Sequence, residues 1–453
     1  MSHTTANSSS QQKPAFEVII CGAGLGGLGA AIALARKGHK VTVLEAASKL
    51  SEVGAGIQIP PNCSRVLNHY GLTPKFLEKV VWPHKFAFRR YSTGELLGAT
   101  PLHPHLTERY GFPYWLIHRA DYQRLLYDAA LDAGVTVHLR RAISSVDDSG
   151  HSPSVILKDG SRLEADLIIG ADGIRSRVRS SILPAPANLI VANASANNSY
   201  RATVPVEVMS ADPMISYLMT DINANCWIGH QRHVMAYPIR NGALYNLVLS
   251  HPAGDNAEAG KWNEPGNLDE MNECYKEFDP VIRRVLSKVE SCLNWKVADL
   301  PSLPTWLSER GRVALLGDAA HAMTPFLAQG AAQAVEDGAC LAECLERAEG
   351  VEDIPKTMRA YEAIRKPRAE RIQQGSRDTS AVWHLPDGPE QVARDQAFKL
   401  MGKEAELDSG ADDLAKVNPN SLSSKEFQPW LYGHDVFEHT RNALDGLLEN
   451  SDS

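Results

Sequence analysis

Seven cysteines, an odd total with no C-x-x-C pair, leave this 453-residue chain without the pattern of a disulfide scaffold or a zinc site. Long apolar runs are missing as well. No stretch reaches the roughly 18 residues of a membrane-spanning helix. Basic residues are in the minority, 46 Lys and Arg against 54 Asp and Glu, for a formal charge of −8. A surface with that balance lacks the basic patches of a nucleic-acid or anionic-membrane binder. Internal repeats are absent. Met1 to Pro14 lacks the basic start and apolar run of a secretory signal and is rich in Ser, Thr and Gln, which predicts a disordered leader over 1–14. Together with the scattered cysteines this points to a reducing, cytoplasmic compartment, with Cys340 and Cys344 as buried thiols one helical turn apart. What remains is a globular chain, 43% hydrophobic, long enough for two or three domains with ample core.

Order is expected from Phe16. The apolar strand Phe16 to Cys21 meets a glycine turn, then an alanine-rich helix from Leu25 to Lys37 closed by Gly38, then a strand from Val41 to Glu45. That is a β-α-β unit. A helix is predicted from Asp121, its N-cap, to Ala133, followed by strands at Val135 to Leu139, Ser154 to Leu157 and Leu167 to Gly170. Between Asn198 and His251 the texture changes. Alternating or β-branched runs at Tyr200 to Pro205, Ile215 to Thr220, Val234 to Ile239 and Leu244 to Leu249 predict an antiparallel sheet. Helices are expected at Leu268 to Phe278 and Val281 to Lys288. Strand-turn-helix texture returns at Arg312 to Ala348, and a long charged helix runs from about Lys356 to Gln374. Beyond Pro386 the chain is polar and acidic, with a late aromatic cluster from Phe427 to Tyr432.

Gly22-Ala-Gly24-Leu-Gly-Gly27 sits between the first strand and the first helix and fits G-x-G-x-x-G. Gly22 allows the tight turn, Gly24 lets a pyrophosphate approach the backbone, and Gly27 lets helix and strand pack closely. The helix N-terminus offers free N–H donors and partial positive charge to phosphates. Glu45 ends the second strand, where a carboxylate can accept from ribose hydroxyls. The pattern predicts dinucleotide binding without choosing the dinucleotide.

Two further segments bear on that choice. Leu167-Ile-Ile-Gly-Ala-Asp172-Gly173-Ile-Arg175-Ser176-Arg177 resembles the D-G motif of flavoprotein hydroxylases, and Arg312-Val-Ala-Leu-Leu-Gly317-Asp318-Ala-Ala-His321 through Pro325 to Gln329-Gly330-Ala331 resembles their G-D motif. With the glycine turn these cover both ends of the nucleotide-binding region in that family's order. The chain therefore resembles single-component, group A, FAD-dependent aromatic hydroxylases, in the salicylate-hydroxylase-like branch, from Phe16 to about Gln374. The resemblance implies an α/β fold: a Rossmann-like FAD-binding domain made of 15–84, 115–190 and 296–375, an inserted, mainly antiparallel substrate domain made of 85–114 and 191–295, and a helical or irregular C-terminal tail over 376–453. It implies FAD as cofactor and NADPH or NADH as co-substrate. It also implies that Asp318 holds the ribityl chain, that the amides at Gly330 and Ala331 meet the flavin's pyrimidine edge, and that Asp172 and Arg119, in His118-Arg119-Ala-Asp121, contact FAD. Val53-Gly-Ala-Gly56-Ile-Gln58-Ile-Pro-Pro-Asn62 matches the loop beside the flavin, which places Gln58 there; its Gly and Pro content predicts irregular backbone.

By that resemblance the enzyme uses O₂ to form a flavin hydroperoxide that hydroxylates a small aromatic substrate as a monomer or homodimer. A phenol is the better nucleophile as phenolate, so a base or donor lattice is needed, inside a dry pocket. His233 and Tyr237, four residues apart, fall on one face of a predicted strand. They match a His-x-x-x-Tyr pair that handles hydroxyl and carboxylate in aromatic-acid hydroxylases. Arg201 aligns with an arginine of fungal phenol dearomatases, which keeps open a secondary-metabolite enzyme acting by dearomatisation or epoxidation. Ala55, where indole-epoxidising relatives carry aspartate, argues against an indole, and Pro325 leans toward salicylate-like chemistry. A flavin oxidase or simple dehydrogenase, and a non-enzymatic binding protein like the Rab GDP-dissociation inhibitors, are the other classes. The intact Asp318 and Gln329-Gly-Ala turn oppose the last. No metal site is expected.

Overall fold

The strand Glu17–Cys21 buries four of its five side chains, as an apolar run does when both faces of a parallel sheet are covered. It lies at the centre of a five-stranded parallel sheet in the order Val313–Leu315, Leu167–Gly170, Glu17–Cys21, Lys40–Leu44, Thr136–His138. This is a computed structural model, and it describes residues 14–50, 55–185, 193–253, 263–404 and 421–449. Nearly all of the predicted leader, together with Val53 and Gly54 of the flavin-side loop, falls outside them.

The first helix, Leu25–Arg36, packs against the helix Gly330–Leu345 through residues with little side chain. A Cβ on Gly338 would come within 2.6 Å of Ala30 Cα, and one on Gly26 within 2.8 Å of Ala334 Cβ. These contacts bring the carboxyl ends of the strands at Cys21, Gly170 and Leu315 to one edge with two helix N-termini above them, where ligands bind in such sheets. Cys340 and Cys344 are buried free thiols in that packed helix.

An eight-stranded sheet forms the second layer, in the order Asn263–Pro265, Leu293–Asp299, Asn193–Pro205, Leu244–Pro252, Arg232–Ile239, Ala224–Gly229, Lys85–Arg90, Leu96–Pro101. Its pairs are antiparallel except that Ala224–Gly229 runs parallel to Lys85–Arg90. Alternation divides its faces. Val234, Ala236, Leu247 and Leu249 face a core closed by Met271, Ile282 and Val285. Met235, Tyr237, Phe86 and Phe88 face the other way, toward Phe326 and Trp383.

Several local expectations change. Ile215 to Thr220 is no strand; Ser216–Met219 is a 3-10 turn that buries Ile215 and Leu218, three residues apart. The flavin-side loop is not irregular throughout. Gly56–Ile59 pairs antiparallel with Trp115–His118, and Pro61 then opens the helix Pro61–His69. Asp121 is not an N-cap: the helix Arg119–Asp132 starts two residues earlier, and Asp121 pairs with Arg240 at 3.2 Å. The long charged helix is Ile354–Trp383, nine residues longer than expected at its C-terminal end. Tertiary bonds carry it past Gln374, among them Ser376 Oγ to the Thr324 carbonyl at 2.6 Å and Arg377 to Asp299 at 2.7 Å. The C-terminal helices Pro389–Glu404, Phe427–Tyr432 and Val436–Glu449 supply Phe398, Leu431 and Phe437 to the two main cores. No helix among the described residues is long and apolar enough to cross a membrane.

Candidate active site

A cavity of about 470 Å³ runs from the glycine turn to the antiparallel sheet, within the range of small-molecule sites. At its first end Gly22 has φ +115° and sits so close to Ala171 that a Cβ would lie 2.4 Å from the carbonyl oxygen. A Cβ on Gly27 would lie 2.1 Å from the Gly22 oxygen, whereas Gly24 has nothing within 4 Å of its Cβ position and opens into the cavity. The turn is thus closed behind and empty in front, a cradle for a pyrophosphate. The Glu45 carboxylate accepts from the N–H groups of Ala23 and Ala47, each at 2.8 Å, and so holds the turn from behind.

Gly317, at φ +58°, turns the chain from Val313–Leu315 to Asp318. Asp318 and Arg119 both open onto the cavity and have no side-chain hydrogen-bond partner among the described residues. Protein surrounds them closely all the same. Desolvation raises the Asp318 carboxyl above its usual range against His321 and Arg119, and lowers the Arg119 guanidinium against Asp318. The helix Gly330–Leu345 points its N-terminus into the cavity, and a Cβ on Gly330 would meet only Met323 Cγ, at 3.8 Å. Asp172 is differently engaged. Its oxygens accept from the N–H groups of Arg177 and Val178 and from Ser176 Oγ, at the start of the helix Arg177–Ile182; its neighbours Ala171 and Gly173 line the cavity. An open glycine cradle, a partnerless carboxylate, a partnerless guanidinium and a free helix N-terminus fit FAD.

At the far end His233, Met235 and Tyr237 line the cavity from one strand, as spacing by two requires. Arg201 joins them from the strand two places away, through Val248, which pairs with both Met235 and Arg201. The Arg201 Nε is buried without a hydrogen-bond partner among the described residues, and its guanidinium lies 5.7 Å from the Trp295 ring centroid. Burial lowers the Arg201 pKa, opposed by Tyr237. Burial also pushes the Tyr237 phenol up to about 12, against Arg201 and a hydrogen bond with Gln58. Gln58 Oε1 accepts from Tyr114 as well. Desolvation holds His233 well below the ordinary imidazole range.

The chain matches the model of the FAD binding domain family over residues 15–376. It is 34% identical over 434 residues to FAD-dependent monooxygenase OpS4 of Beauveria bassiana (strain ARSEF 2860), covering 95% of this chain and 97% of that one. It is 35% identical over 378 residues to 3-hydroxybenzoate 6-hydroxylase 1 of Aquipseudomonas alcaligenes, covering 82% and 90%. Its fold superposes on that of CtdE, solved with FAD and a substrate, at TM-score 0.80 and 23% identity over 97% of this chain and all of the other. The chain is a group A FAD-dependent aromatic monooxygenase.

In this monooxygenase the cavity brings together Gly24, Gly27, Gln58, Arg119, Arg201, His233, Tyr237, Asp318, Gly330 and Ala331, while Gly22, Glu45 and Asp172 stand behind its wall. Sequence reasoning missed the layer beneath. Asn62 donates to Gln329 Oε1 at 3.0 Å and to Glu336 Oε1 at 2.6 Å. Arg365 and Arg368 both bind Glu336 Oε2, at 2.7 and 2.9 Å, and Arg365 Nε reaches Asp337 Oδ1 at 2.8 Å. Asp337 Oδ2 in turn takes the Gly317 N–H at 3.0 Å and lies 2.6 Å from His321 Nε2, so it fixes the turn that presents Asp318. Burial raises the Glu336 carboxyl, but Arg368 and Arg365 outweigh it and hold the group well below its ordinary range. The available signal was acidic Glu336-Asp337 on one helix and basic Arg365 and Arg368, a turn apart, on the helix read only as long and charged.

Proposed function

We propose that this monooxygenase hydroxylates a small phenolic or aromatic-acid substrate, with NADPH or NADH as reductant and O₂ as oxidant. The observation that carries this reading is the grouping of His233, Tyr237 and Arg201 on the cavity side of one sheet. FAD, when bound, supplies the activation of O₂ for transfer of one oxygen atom to an electron-rich ring. Gly22, Gly24, Gly27 and Glu45 would hold its adenosine and pyrophosphate, Arg119 and Asp318 its middle, and Gln58, Gly330 and Ala331 its ring end, with Asp172 securing the D-G turn.

The remaining work falls to this chain's side chains. His233, kept neutral by burial, takes the proton of the substrate hydroxyl. Tyr237, protonated well above neutral pH, donates to the substrate's carboxylate or carbonyl. Arg201 stabilises the phenolate. Phe86, Phe326 and Trp383 exclude water from that end of the cavity. A second reading, dearomatisation of a phenolate or enolate in secondary metabolism, is favoured by the Arg201 Nε, buried beside Tyr237 with no hydrogen-bond partner among the described residues.

The test is an NAD(P)H-oxidation screen over aromatic acids, phenols and indoles, with product masses determined. Hydroxylation of a phenol coupled to NAD(P)H use supports the first reading; a dearomatised product supports the second. O₂ consumption that needs no NAD(P)H overturns both.

A further inference from the structure

His233 lines the cavity, yet one of its ring nitrogens is turned away. Its Nδ1 lies 2.9 Å from Nε2 of His384, and the two rings stack with centroids 5.1 Å apart. His384 caps the helix Ile354–Trp383: its N–H donates to the Ser380 carbonyl at 3.1 Å, and its carbonyl accepts the Gln231 N–H at 3.3 Å. Its own Nδ1 lies 3.5 Å from Ser380 Oγ. Phe326 and Trp383 pack on the His233 ring with centroids at 5.4 and 5.5 Å. His233 is 5% exposed, whereas His384 and Ser380 are half-buried. A line of imidazole, imidazole and hydroxyl therefore runs from the cavity wall toward the surface.

We propose that His384 is a proton-relay residue, carrying the hydroxyl proton of a phenolic substrate from His233 out of the cavity. This rests on the phenol reading above. At rest His233 donates its Nδ1–H to His384 Nε2, and the His384 Nδ1–H faces Ser380, a tautomer choice set by the hydrogen-bond line. The substrate O–H breaks and its proton joins His233 Nε2. The His233 Nδ1 proton passes to His384 Nε2, and the His384 Nδ1 proton leaves by way of Ser380 to solvent. One proton is lost and one delivered, and both rings end neutral with inverted tautomers; reprotonation of the product along the same line restores them. The surroundings suit rings that pass a proton without storing it. Burial and His384 depress His233, while burial, Arg394 and His230 hold His384 at about 4. Arg394 is itself paired with Asp395 at 2.7 Å.

Holoenzyme with bound 4-nitrophenol, whose phenolate is coloured, provides the test. After a rapid upward pH jump, ionisation of the bound probe is followed in wild type, in His384→Phe, which keeps the ring stack without nitrogens, and in His384→Gln. Both variants are expected to ionise the probe about a hundredfold more slowly, with unchanged FAD content and probe affinity, and added imidazole is expected to restore the rate. A packing defect would not be restored in that way. Wild-type rates in both variants, or slowing that imidazole leaves untouched, overturn the relay. Failure of the wild-type holoenzyme to bind the probe overturns the phenol reading and the relay with it.

Discussion

The backbone N–H of Gly56 donates to Oδ1 of the buried Asn246 at 2.6 Å, tying the strand Gly56–Ile59 to the sheet that carries Tyr237. Asn246 stands opposite Tyr237 in the sheet register. A Cβ at position 56 would lie 2.5 Å from Tyr237 Cε2 and 2.9 Å from Asn246 Cγ. Gly56→Ala is therefore expected to displace Tyr237 and cut turnover while the purified protein keeps its FAD. Asn246→Ala leaves the Gly56 N–H without its acceptor and is expected to cost about 1–3 kcal/mol, read from urea unfolding midpoints.

Asp318→Ala removes a carboxylate that lines the cavity proposed to hold FAD, and the flavin content of the purified variant should fall sharply. Glu45→Ala should weaken FAD binding less severely, because Glu45 stands outside the cavity lining and acts by holding the glycine turn. Flavin absorbance per protein and an FAD titration measure both. Fully yellow protein in each case would remove these residues from the cofactor site.

Tyr237→Phe and His233→Ala are expected to slow hydroxylation by about a hundredfold and to spare FAD content. Product formation under saturating NAD(P)H is the measurement. Wild-type turnover by both variants would separate the pair from the chemistry.

Arg365→Met leaves Glu336 and Asp337 buried with one guanidinium fewer. Breaking a buried pair from one side costs about 3–5 kcal/mol, so the variant should melt at markedly lower temperature. It should also lose flavin, since Asp337 anchors the Gly317 turn.

Acid should destabilise the protein in two stages. His384 and His434 have folded pKa values depressed to about 4 and about 3 from the ordinary 6.5, so the unfolded chain binds their protons first. Their contribution is full above pH 6.5 and is lost as pH falls toward those folded values. Glu336 and Asp337, depressed from 4.5 and 3.8, add a second loss below about pH 4.5. Melting temperature against pH should thus begin to drop near 6.5 and steepen in the second range. A curve flat between pH 7 and 5 would contradict the buried neutral histidines.

The glycine turn was legible because its requirements are local: Gly22 needs positive φ, and Gly27 must let a helix pass a strand. Tyr237 and His233 were legible because a strand's period of two fixes their common face. Gly56–Ile59 was not, since its partner Trp115–His118 lies far along the chain and Gly and Pro dominate its neighbourhood. Arg365 and Arg368 were not singled out within their charged helix because burial of a charge depends on a counter-ion, and Glu336 sits on another helix. His384 lay past the expected end of its helix, so nothing in its own neighbourhood pointed to His233.

The cradle's parts are dispersed along the chain, with Gly24 early, Arg119 later and Asp318 and Gly330 later still. During synthesis the N-terminal β-α-β unit can form first, but Gly26, Ala30 and the open side of the turn stay uncovered until Gly330–Leu345 has emerged and packed on them. FAD capture is thus expected only after that helix has been made. A nascent chain stalled before that helix should expose the apolar flank of Leu25–Arg36 to chaperones and leave the flavin in solution.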